Sequence, residues 1–170
     1  PVSKITGDVE ISGFSGVYWF RPEGGDNIES TRWEILMCGT NLIRTTEGGQ
    51  ISYSGADHEL KLLMYSPYKN AMVSILPEGT HTVGEWETAP FPYKAPAWTI
   101  GRGVCPYPTY KAGSWYLYRT DNSPLKDVAV FARLAAGTIE VTYDSGSKNY
   151  TFDLNLEDDA GNSITGYYGG

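Results

Sequence analysis

Residues 137–170 read GTIEVTYDSGSKNYTFDLNLEDDAGNSITGYYGG. Ile139, Val141 and Tyr143 alternate with Glu140 and Thr142. After DSGSKN at 144–149, Tyr150, Phe152, Leu154 and Leu156 alternate with Thr151, Asp153, Asn155 and Glu157. Successive strand side chains point to opposite faces, so a period of two predicts a sheet with one apolar and one wet face. The residues 144–149 predict one tight turn. Asp159-Ala160-Gly161-Asn162 predicts another, with Gly161 supplying a positive φ.

The same period runs upstream. In RWEILMC, Trp33, Ile35 and Met37 oppose Glu34, Leu36 and Cys38; in HELKLLMY, Leu60, Leu62 and Met64 oppose Glu59, Lys61 and Leu63. DVAVFARLA aligns Val128, Val130, Ala132 and Leu134. Turn residues separate the runs at 47–49, 66–70 and 77–79. Residues 124–136 can be wound onto a helical wheel, but Val128, Val130 and Phe131 favour strands and no good cap precedes them. The expected fold is an all-β antiparallel sandwich, jelly-roll-like or Greek-key, of about ten to twelve strands. A closed or partly open barrel is the alternative. One domain is expected over 1–170, with a long connection at about 86–113. GGQISYSGADHELKLLMY reads, like 137–156, as strand, glycine turn and longer strand.

The chain has 13 Lys and Arg against 20 Asp and Glu, a formal charge of −7. Phosphate backbones demand positive contact surfaces, so nucleic acid is excluded as the main partner. No apolar run approaches the ~18 residues needed to span a bilayer. Pro1 opens directly on a polar segment, which fits a cytosolic chain or a mature export product. Cys38 and Cys105 fit one disulfide or two buried thiols. His58 and His81 stand alone in strand contexts, with no close ligand pair for zinc, and no metal or cofactor is expected. Asp158, Asp159 and Asn162 cluster their oxygens but lack the spacing of a calcium loop; a hairpin explains them better.

One segment breaks the pattern. PYKAPAWTIGRGVCPYPTY at 92–110 is rich in proline and aromatic rings. From Thr88 to Thr120 there is no acid, only Lys94, Arg102, Lys111 and Arg119, so this window carries +4 and the rest −11. Rings stack on the apolar faces of sugars, cations bond hydroxyls or acidic glycans, and prolines lower the entropy lost on binding. Trp86, Tyr93, Trp98, Arg102, Tyr107 and Tyr110 are the candidate ligand-binding residues. The competing reading is a connection packed over one end of the sandwich, since a long ordered loop must bury something. In SWYLYR, Trp115 and Leu117 share one face, Tyr116 and Tyr118 the other, and at least one pair should be core. Glu85 and Glu87 flank Trp86 on one strand face and are the candidate carboxyl pair for a glycosidase.

ILPEGTHTVG at 75–84 resembles the LPAGTYT strand of secreted lipoproteins common in Bacteroides and its relatives. Residues 137–170 are similar to their ending: a G-x-[IV]-x-V strand, Y-T-[IF]-x-[FL]-x-L, D-D-x-G-N, then I-x-G-x-[YF]-x-G. The two stretches cover about a quarter of the chain; His81 stands where an aromatic is usual, and the proline-rich segment has no counterpart. The resemblance implies export to the outer membrane or cell surface, with a signal peptide and a lipid-bearing cysteine upstream. An oxidising compartment would favour a Cys38–Cys105 disulfide. It carries over no catalytic residue. The expected function is a non-catalytic binding module, with a glycan as ligand. The rivals are an adhesion or structural module binding protein along a sheet edge, and a β-sandwich glycosidase.

Overall fold

The structure is a computed structural model and describes residues 1–20, 30–67, 76–84, 95–104 and 113–170. The strands are β1 (Val9–Ile11), β2 (Phe14–Phe20), β3 (Ser30–Gly39), β4 (Leu42–Glu47), β5 (Gln50–Pro67), β6 (Gly79–Val83), β7 (Thr99–Ile100), β8 (Trp115–Thr120), β9 (Phe131–Asp144), β10 (Asn149–Asp158) and β11 (Ser163–Gly169). All eleven belong to one hydrogen-bonded system, so the all-β expectation holds. The sheet is mixed rather than wholly antiparallel, because β1 runs parallel to β11 and β6 parallel to β7.

Two long strands, β5 and β9, organise it. β3 and then β2 extend the sheet beyond β5; β10, β11 and β1 extend it beyond β9. At one end β8 alone bridges the pair, meeting Ala56–Lys61 on one side and Phe131–Arg133 on the other. At the other end two strands fill the space, β7 beside Met64 and Tyr65 and β6 beside Thr138–Val141. With strands about 4.8 Å apart, β5 and β9 splay by roughly one strand width between the two ends.

Where the filling changes from one strand to two, the backbone is stitched by four bonds. Gly101 N–H donates to the Leu63 carbonyl (2.7 Å) and Ser114 N–H to the Gly101 carbonyl (3.1 Å). Gly103 N–H donates to the Leu134 carbonyl (3.0 Å) and Leu134 N–H to that of Ser114 (3.2 Å). The buried Ser114 Oγ also accepts from Leu63 N–H at 2.9 Å. Gly103 leaves no room for a side chain, since a β-carbon there would lie 2.8 Å from the Ser114 carbonyl oxygen. The "TIGRGV" part of the proline-rich segment is therefore the seam of the sheet.

The alternating residues face inward as expected. Trp33, Ile35 and Met37, then Leu60, Leu62 and Met64, then Phe152, Leu154 and Leu156 are buried in one core. Full burial of each such side chain contributes about 2 kcal/mol. The sheet rolls until its ends meet: Phe14 on β2 packs edge-on against Tyr168 on β11, 6.3 Å between ring centres. β1 and β2, bonded to opposite ends of the sheet, are joined only by Ser12 and Gly13.

Two local expectations change. Residues 124–136 form a 3-10 turn at Leu125–Asp127 and the start of β9, and Val130 is exposed. In GGQISYSGADHELKLLMY the turn is at Gly48-Gly49, before the first strand residue; beyond it β5 continues without a second turn and bends at Gly55. β3 and β4 run alongside β5 in succession, so the three form one long ribbon that bends there. The turn at 159–162 is a hairpin, as read. Asp158 Oδ1 accepts from the N–H groups of Ala160 (2.9 Å) and Asn162 (2.7 Å), and Oδ2 from Asn162 Nδ2 (3.0 Å). Asp159 instead holds the N-terminus, accepting from Val2 N–H at 2.8 Å.

Gly55 has φ +85°, and a β-carbon there would lie 2.1 Å from the Asn41 carbonyl oxygen. Gly55→Ala should therefore lower stability by about 2–3 kcal/mol, read from the denaturant midpoint. Gly48→Ala, at the open hairpin tip with φ +57°, should cost about 1 kcal/mol. Equal losses at both positions would show that the bend at Gly55 is not a close approach.

Candidate ligand groove and aromatic shelf

Beyond the bend at Gly55, the β4–β5 hairpin folds back as a flap over the outer face of its own base. The β8–β9 connection clamps it there. Gly55 N–H donates to Asp121 Oδ1 (3.0 Å), Asp121 N–H to the Gly55 carbonyl (2.7 Å), and Tyr53 N–H to Asn122 Oδ1 (2.6 Å). Between flap and sheet lies an open groove of about 730 Å³. Gln50, Ile51, Ser52 and Tyr53 form the flap wall, Asn122 and Leu125 the facing wall.

The floor follows from register. Cys38, Glu59 and Leu117 lie abreast on β3, β5 and β8; Leu36, Lys61 and Trp115 form the next row. Arg119, two residues beyond Leu117, reaches diagonally to Glu59. Its Nη1 is 3.5 Å from Glu59 Oε1. Its guanidinium carbon lies 4.1 Å over the Tyr53 ring. Glu59 is 1% exposed, and among the described residues its Oε2 meets no hydrogen-bond partner; neither does Arg119 Nε. A charge-assisted bond is ordinarily about 2.8 Å, so this ion pair is long and both partners remain under-bonded.

Burial pushes the Glu59 carboxyl up, against the Arg119 guanidinium, a hydrogen bond from Tyr53, and the charges of Lys61 and Arg44. Burial pulls Lys61 down, opposed by Glu59 and Glu34. The Tyr53 hydroxyl is raised to about 12, by burial first and then by Glu59. Cys38 is a wholly buried free thiol; burial and then Glu59 raise it to about 12, against Arg44 and Arg119. Its suggested disulfide partner Cys105 lies outside the described residues. The face of β5 expected to be wet is thus a covered polar floor, because the flap removes water from it. The missed signal was on the neighbouring strands: Leu36 and Cys38, and Trp115 and Leu117, make that face apolar around Glu59.

Of the residues singled out in the proline-rich segment, Trp86, Tyr93, Tyr107 and Tyr110 lie outside the described residues, as do Glu85 and Glu87. Trp98 and Arg102 are described. Trp98 sits at φ +66°, a conformation uncommon for a bulky residue, and is 37% exposed. Its ring lies over Gly79, where a β-carbon would meet it, and 5.1 Å from the His81 ring. One face of the indole is held while part of it meets solvent. Arg102 is half-buried in the seam, its Nε without a partner among the described residues. Trp98 lies beside Tyr65, at the opposite end of β5 from the groove. Trp115 and Leu117 are buried on the outer face and Tyr116 in the core, so a binding platform cannot include Trp115. It packs edge-on against Phe131 at 5.9 Å. His58 is structural, its Nδ1 2.7 Å from the Tyr116 hydroxyl.

Among the described residues no group of His, Cys, Asp and Glu is placed to hold a metal ion, and no helix is long and apolar enough to cross a membrane. Comparison with family models, with curated proteins and with solved structures finds no match to this chain.

The thiolate is the reactive form of cysteine, so Cys38 should not label with maleimide at pH 8 until the protein is denatured. Labelling of Cys38 in the native state would show that the flap opens. His81 supplies a pH test. Burial lowers its imidazole from 6.5 to about 4, against a weaker pull from the Gly79 backbone. Between these values the unfolded chain binds the extra proton. Stability is therefore full above pH 6.5 and falls toward pH 4, by about 3 kcal/mol from this group. His81→Phe should flatten that part of the stability curve, measured by urea unfolding; an unchanged slope would exclude His81 as its source.

Proposed function

We propose that this chain is a non-catalytic binding module, exported and held at the cell surface like the lipoproteins it resembles, and that its groove takes a glycan. One observation carries this reading: Glu59 lies on the groove floor with an unanswered carboxylate oxygen beside two cationic side chains. A buried carboxylate left partly unbonded is destabilising, by about 1–3 kcal/mol for such a polar group. A ligand hydroxyl offers the missing donor. The walls add side-chain amides at Gln50 and Asn122, a hydroxyl at Ser52 and the Tyr53 ring, a mixed lining suited to a polyhydroxylated surface. The site thereby moves from the proline-rich segment to the flap, and Trp98 remains as a separate exposed ring.

Calorimetric titration with a panel of neutral and acidic glycans tests this. A ligand should bind, and Glu59→Gln should weaken it by about 10–100-fold while circular dichroism stays unchanged. Failure of every glycan, together with concentration-dependent self-association, would instead favour the protein-binding reading.

A further inference from the structure

We infer that the groove is specific for a neutral sugar, recognised through a pair of adjacent hydroxyls on the Glu59–Arg119 pair, and that it rejects acidic sugars. This rests on the glycan reading and names its ligand class. Two polar atoms of the pair are buried without partners among the described residues: an acceptor, Glu59 Oε2, and a donor, Arg119 Nε. A carboxylate offers only acceptors and an ammonium only donors. Adjacent hydroxyls offer both, one donating to Oε2 and its neighbour accepting from Nε.

Charge points the same way. Of the cations lining the groove, Arg119 already faces Glu59, and Lys61 is flanked by Glu59 and Glu34. Glu47 stands on the flap at the mouth of the groove. A ligand carboxylate would therefore have to approach the bare lone pairs of Glu59, and two carboxylates in contact disfavour their charged forms strongly. The pair is held in place to discriminate: register sets Arg119 diagonal to Glu59, and Tyr53 supports the guanidinium from the flap side.

Methyl glycosides of glucose, galactose and mannose, each paired with its uronide and with its single-deoxy derivatives, are titrated into the full chain at pH 7.5. Affinity is read by calorimetry and location by the Arg119 Nε–H resonance. At least one neutral glycoside should bind and move that resonance. Its uronide should bind at least tenfold more weakly, and removal of either hydroxyl of the recognised pair should weaken binding at least tenfold. Glu59→Gln should narrow the neutral-to-uronide ratio, because an amide can donate to the carboxylate; a merely structural Glu59 would leave the ratio unchanged. The wild-type resonance and ratios decide the matter even if that variant fails to fold. Equal or tighter binding of the uronide overturns the inference. Deoxy sugars that bind like their parents overturn it too, and assign the two bare atoms to ordered water. Binding that moves the Trp98 indole but not Arg119 overturns the groove site while leaving glycan binding intact. No binding by any glycoside or glycan removes the proposed function along with it.

Discussion

The fold depends on the seam where residues 101–103 and Ser114 cross between β5 and β9. β5 and β9 are too far apart to bond each other, and the two fillers between them come from different parts of the chain. Without the bonds from Gly101, Gly103, Ser114 and Leu134, the β8 end and the β6–β7 end would be separate sheets sharing two strands. Buried backbone groups must find partners, and at this change of width the regular ladder cannot supply them. Glycines 101 and 103 meet the requirement by letting three chain segments approach closely. The seam also fixes β8, and therefore Leu117 and Arg119, against β5.

From that placement the groove follows. The β3–β4–β5 ribbon bends at Gly55, and Asp121 and Asn122, at the far end of β8, tie the bent part down. The face under the flap carries Glu59, which is buried, and Lys61, which is half-buried. A structural ion pair would be expected to close up under such conditions, since desolvated charges gain stability only with good geometry and complete hydrogen bonding. Here the pair stays long and each partner keeps an unanswered atom. On that combination the proposed ligand site rests.

The other end of β5 shows a different compromise. Trp98 adopts a left-handed conformation so that its ring covers Gly79 and His81, and His81 is held neutral beneath it. The buried imidazole packs against the Trp98 ring at the expense of stability in acid.

The period of the strands was legible from residue spacing alone. Trp33, Ile35 and Met37, and the long alternation from Ile139 to Leu156, face the core as their spacing requires, because side-chain direction in a strand is a local property. The turn at 159–162 was equally legible, since Asp158, Gly161 and Asn162 satisfy it among themselves. Which face of β5 meets water was not legible. Alternation separates Leu60 and Leu62 from Glu59 and Lys61 but cannot say what lies above the second pair. That is decided by a bend at one glycine and by a clamp from residues more than sixty positions away. Likewise Gly101 and Gly103 read as loop residues, and only the tertiary structure makes them the seam. Contacts between distant segments set both outcomes, because backbone hydrogen bonds and charge pairs are chosen by what the fold brings within reach.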